Sequence, residues 1–132
     1  MALVAVVVLG ALTSVGVVHA SWAAGRDRLL AVRDALDVAG ASATARVMSI
    51  DAAATRYWTG RGGVVLVNDP VATIGEVADA YDIDWVVLDR GAVDTTTPIL
   101  DGDRPAWLGA PILEDGDPTE LGVYPVVREA PE

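Results

Sequence analysis

Residues 1–25 contain no charged side chain, and a leader of that length and polarity constrains everything attached to it. Residues 2–12 are unbroken apolar, and the stretch continues to residue 24 with Thr13, Ser14, His19 and Ser21 as its polar interruptions. As a helix rising 1.5 Å per residue, such a segment reaches about 34 Å, against a hydrocarbon core of about 30 Å. Trp22 stands where an interfacial aromatic is expected, and Arg26 and Arg28 follow as a stop. The pattern predicts a transmembrane helix over residues 1–24 and a lipid bilayer as the first partner. A signal peptide is the rival, since Val18-His19-Ala20 resembles a small-x-small cleavage site. The basic n-region that should open such a peptide is missing. His19 lies near the interface, where a snorkelling or capped imidazole explains it.

Arg26, Arg28 and Arg33 after the span would place the remainder in the cytoplasm by the positive-inside rule. The last helix of a many-pass protein is constrained by its predecessors, and there the local signal is overruled.

The charge is unevenly spread. Residues 26–61 hold six Arg against Asp27, Asp34, Asp37 and Asp51, whereas residues 62–132 hold three Arg against fifteen acids. The chain of 132 residues carries a net charge of −10, which argues against a nucleic-acid partner. It has no Cys, so disulfides, thiolate nucleophiles and Cys-ligated metals are excluded; its single His leaves no room for a His-rich metal site, and no cofactor is expected in this fragment. The length suits one small domain.

Residues 25–132 read as that domain: a small three-layer α/β fold with a mostly parallel sheet of three or four strands. Leu29, Leu30, Val32, Leu36 and Val38 recur at helical spacing over 21–39, and Gly40 ends the pattern. Residues 46–50 are a β-prone run, after which Asp51 opens a helix to Trp58. Residues 63–67 are continuously apolar, as in a strand buried on both faces. Asp69 as N-cap and Pro70 as first helical residue start the next helix, with Val71, Ile74, Val77 and Tyr81 along one side. A strand follows at 84–88. Strands alternating with helices suggest βαβ units and a parallel sheet. Residues 95–119, rich in Pro, Gly and Asp, read as loop with one short helix, and residues 123–127 add a terminal strand, placed at an edge by Pro125.

Candidate chemistry clusters in two places. Arg56, Tyr57 and Arg61 lie in a segment with Thr59, Gly60, Gly62 and Gly63, where guanidiniums, amides and a hydroxyl can grip a phosphate or carboxylate. Those glycines precede a strand instead of leading from one into a helix, so neither a P-loop nor a dinucleotide fingerprint fits; a helix end with a glycine turn and solvated arginines is the simpler account. Asp51, Asn68 and Asp89 each follow a predicted strand, on the edge where open α/β sheets bind ligands. There they can meet a metal or sugar hydroxyls, though Asp51 and Asp69 are also accounted for as helix caps. Trp58, Trp85 and Trp107 with Tyr57 and Tyr81 are able to stack on sugar rings or to fill the core. Glu114, Asp115, Asp117 and Glu120 read as a solvated acidic loop.

The strings VMSID at 47–51, YWTGRGG at 57–63, NDP at 68–70, AYDIDWVVL at 80–88, RPAWLG at 104–109 and VYPV at 123–126 together resemble the C-terminal tail of actinobacterial polytopic membrane proteins of the GT-C glycosyltransferase class. That class includes the protein-mannosyltransferase-like and ArnT-like enzymes. The resemblance implies an extracytoplasmic domain hanging from a last membrane helix, opposite to the local charge signal. It also implies a parent enzyme taking sugar from a polyprenyl-phosphate carrier. In that class the catalytic acid lies in an early outer loop that no position here matches, so the resemblance assigns no catalytic residue. It implies a fragment that works with missing N-terminal membrane helices or a polytopic partner. Its contribution would be assembly, or binding of a lipid-linked sugar or glycan acceptor through Asp51, Arg56, Tyr57, Arg61, Asn68 and Asp89. A single-pass membrane-anchored binding module without enzymatic activity is the alternative.

Overall fold

The computed structural model describes the backbone of residues 2–128 and the side chains of residues 20–128. In chain order the elements are α1 (Ala2–Val38), β1 (Arg46–Ser49), α2 (Ala52–Thr59), β2 (Gly62–Val65), α3 (Val71–Ala80) and β3 (Trp85–Asp89). A 3₁₀ turn (Asp94–Thr96) then leads into α4 (Thr97–Leu100), β4 (Leu113–Asp115) and β5 (Leu121–Pro125). The strands form one five-stranded sheet in the order β2-β1-β3-β5-β4. β1 pairs in parallel with β2 and β3, while β5 is antiparallel to both β3 and β4. The sheet is therefore mixed, and it has five strands where three or four mostly parallel ones were expected.

Strand alternation divides the core into two layers, since successive side chains point to opposite faces. Met48, Val86, Leu88 and Tyr124 face α3 and α4, meeting Ile74, Ala78, Ile99 and Leu100. Val47, Val87, Leu121 and Val123 face the other way and receive Val32 and Leu36 of α1. The three layers are thus α1 with α2, the sheet, and α3 with α4. α1 stops in a Schellman turn: Gly40 takes a positive φ of 73°, Ala41 N–H donates to the Leu36 carbonyl at 2.9 Å, and Gly40 N–H to that of Asp37 at 3.0 Å. Val38, expected on the apolar side, is exposed.

β2 lies at a sheet edge and leaves Val65 58% exposed, because only β1 pairs with it and no helix covers that position. β5 is an internal strand. Pro125 is tolerated there because odd-numbered residues of β5 turn their backbone polar groups toward β4, which ends at Leu113 opposite Val123. The Pro125 carbonyl instead accepts from Gly109 N–H at 2.8 Å, while Val126 N–H closes the β3 side on Asp84. At α3 the N-cap is Pro70, with ψ 148° and no side-chain cap bond. Asp69 stays outside, its carbonyl accepting from Thr95 Oγ1 at 2.8 Å. Asp51 caps α2 as expected, its Oδ1 accepting from Ala54 N–H at 3.0 Å.

Among the described residues no helix is long and apolar enough to cross a membrane. The span expected over 1–24, with His19, falls almost wholly on residues 1–19, whose side chains lie outside the described set.

Candidate functional site at the carboxyl edge of the sheet

β1, β2 and β3 all end on one edge, and α1 passes over it. Val32 and Leu36 seat the helix, and Arg28, one turn earlier on the same side, is carried to the end of β3. There it forms an ion pair with Asp89 and donates to the Glu120 carbonyl at 3.3 Å. Alternation in β1 turns Ser49 to the same side, where its hydroxyl meets that of Thr55 from α2 at 2.7 Å, both buried. Between these groups is a cavity of about 180 Å³, lined by Arg28, Ser49, Asp51, Thr55 and Asp89 over a floor that includes Val32 and Val87.

Its electrostatics turn on Asp89. Burial raises the carboxyl above its ordinary 3.8, and Arg28 offsets only part of that by charge attraction and hydrogen bonding. A group whose folded value is raised supports the fold fully below its unfolded value, and that support is lost as pH rises through the folded one. Asp89→Asn is accordingly expected to flatten the stability profile above pH 4 and to leave the thermal midpoint at pH 7 unchanged or higher. A fall of more than about 5 °C, roughly 1 kcal/mol in a chain this size, would mean that the Arg28 attraction outweighs the cost of burial.

The geometry suits binding. Asp51 and Asp89 bring carboxylates to the cavity and Arg28 a guanidinium that is paired with Asp89, while the Ser49 and Thr55 hydroxyls are buried and hydrogen-bonded to each other. No three His, Cys, Asp or Glu among them group to hold a metal.

Of the residues singled out in the sequence, Asp51 and Asp89 share this cavity. Asn68 is exposed in the loop after β2, on the same edge but outside the lining. Arg56 and Tyr57 are exposed on α2, with the Tyr57 ring edge-on to Trp58 at 5.1 Å. Arg61 is at the opposite, amino edge and only 6% exposed. Its Nη2 donates to Asp37 Oδ1 at 2.7 Å and to the Ala41 carbonyl at 2.9 Å, and its Nε to the Ser42 carbonyl at 3.2 Å. The neighbouring glycine amides are likewise engaged, Gly60 with Arg56 and Gly62 with Ala45. The Arg61 segment is therefore a structural clasp. The aromatics do not converge either: Trp107 covers Gly75 and Trp85 packs on the α1 side of the sheet. Glu114 and Asp115 belong to β4 instead of a loop, though both are exposed.

Arg28, Ser49 and Thr55 were missed as site residues. For Arg28 a signal existed, since 28, 32 and 36 share one side of a helix, but its place after an apolar leader points to a membrane flank.

The architecture defines a three-layer α/β module with a polar cavity where its parallel strands end. Comparison with protein-family models, with curated proteins and with solved structures found no match.

Proposed function

We propose that this chain is a membrane-anchored, extracytoplasmic α/β module that serves a GT-C-like glycosyltransferase using a polyprenyl-phosphate sugar donor, binding acceptor or supporting assembly without making the bond itself. The anchor is the uncharged leader, read as a retained transmembrane helix over 1–24. The observation that carries the reading is the junction: α1 is one uninterrupted helix from Ala2 to Val38, and its last turns are built into the core through Val32 and Leu36. The leader and the polar cavity are thereby joined without a linker. The cavity's acceptors and donors suit a sugar or other polyol.

The test is expression of the tagged full chain in an actinobacterial host. Retention in the membrane after carbonate extraction, cleavage of the domain by protease added to spheroplasts, and co-purification with a polytopic membrane protein in mild detergent are expected. Release by carbonate, or protection from external protease, would refute the proposal. Retention without a polytopic partner would favour the free-standing binding module. Within the site, Asp51→Asn keeps an N-cap acceptor and removes the charge. It is expected to leave the thermal midpoint within a few degrees while weakening glycan binding about tenfold, the loss of roughly one charge-assisted hydrogen bond, as read by calorimetric titration.

A further inference from the structure

Taking the anchored reading of the leader as its premise, we infer that the carboxyl edge of the sheet faces the bilayer, so that the cavity of Arg28, Asp51 and Asp89 opens at the level of the lipid headgroups. Two features of the α1 junction lead there.

The first is the direction in which α1 enters the domain. Gly25 and Arg28 line the same cavity as Asp51 and Asp89, whereas Asp37, near the helix's other end, reaches Arg61 at the amino edge. At 1.5 Å per residue, Arg28 stands about 5 Å past Gly25 and Asp37 about 14 Å beyond Arg28. The uncharged segment therefore meets the domain at the ends of β1 and β3, and the amino edge is carried away from it.

The second is the surface beside the cavity. Trp22 and Arg26 of α1 line a groove with Ala54 and Trp58 of α2, and Asp51 stands at its side. Trp22 is 77% exposed to solvent. An exposed tryptophan with a second one across a groove and an arginine alongside is the composition favoured at a membrane–water boundary, where the ring sits among headgroups and the cation at phosphate level. The groove and the cavity share Gly25, Leu29 and Asp51, so one placement sets the other. A ligand reaching this cavity then arrives along the membrane plane, as the polar head of a membrane-borne molecule.

The chain has no cysteine, so single-cysteine variants can be labelled directly. Asn68→Cys reports the carboxyl edge and Ala43→Cys the amino edge, both at exposed positions. Each full-length variant, carrying a bimane fluorophore, is reconstituted into phosphatidylcholine–phosphatidylglycerol vesicles containing headgroup-nitroxide lipid. The labels are separated by strands about 13 Å long, so quenching at Asn68 should exceed that at Ala43 by at least about twofold. Equal or reversed quenching in protein that floats with the vesicles and resists carbonate overturns this orientation and leaves the anchor standing. Failure to float with the vesicles overturns both.

Discussion

Replacing Gly63 with alanine is expected to be the most damaging single change in this domain. Only two residues separate the end of β1 from the start of α2, so the first turn of that helix is forced down across β2. A β-carbon at Gly63 would collide with the Ala52 carbonyl oxygen and lie 2.9 Å from its carbon. Both obstacles are backbone, held by the Asp51 cap, and no rotamer change relieves them. Inserting a methyl group into well-packed structure costs typically 1–3 kcal/mol, and a rigid obstacle puts this case at about 3 kcal/mol or more. That corresponds to roughly 15 °C in thermal midpoint for a chain of this length. Gly62→Ala supplies the control, because a β-carbon there meets Ala45 and Arg46 atoms at an ordinary 3.7 Å. Thermal unfolding of the two variants followed by circular dichroism decides the matter. Matching midpoints would mean that α2 slides freely over β2.

Arg61→Ala is expected to be the next most damaging change. The guanidinium ties three parts of the chain together: the end of α1 through Asp37, the connection to β1 through the carbonyls of Ala41 and Ser42, and the end of α2 through the Thr59 carbonyl at 3.3 Å. Truncation leaves these acceptors in a partly closed space, at a cost of about 3 kcal/mol. Arg61→Lys should recover less than half of it, since an ammonium has three donors around one point and cannot span the fork that guanidinium fills. The midpoint of urea denaturation measures both. Full rescue by lysine would show that charge opposite Asp37 is what matters and that the carbonyl contacts are incidental. Hydrogen exchange offers a local check, because residues 41–45 should lose protection before the sheet does.

The elements legible in the sequence are those whose own residues carry a period or a cap. Residues 46–50 are a β-prone run, Asp51 is an acceptor placed ahead of a helix, Val71, Ile74 and Val77 mark one side of α3 although Tyr81, expected with them, is exposed, and residues 85–88 are a compact apolar run between two aspartates. What escaped depends on partners distant in the chain. β4 is three residues, Leu-Glu-Asp, without a distinguishing pattern, and it is a strand because β5 offers it an edge. The edge position inferred from Pro125 failed for a related reason: the direction of a missing N–H depends on where the neighbouring strand ends. Two of the five polar residues of the candidate site were legible by the same logic. Asp51 and Asp89 were found because strand ends are recognisable, whereas Arg28 joins them only through the docking of α1, sixty-one residues before Asp89 in sequence. Arg61 misled because a glycine-rich setting looks exposed in sequence, while the fold closes the α1–β1 connection over it.

The unbroken α1 also has a rotational consequence. With 3.6 residues per turn, each residue added to the helix ahead of Gly25 turns the domain by about 100° relative to whatever grips the first turns, and advances it about 1.5 Å. The module is thus clocked to its leader like a cam to a shaft. One inserted alanine turns the cavity by about 100°, whereas four return it to within roughly 40° of its starting direction.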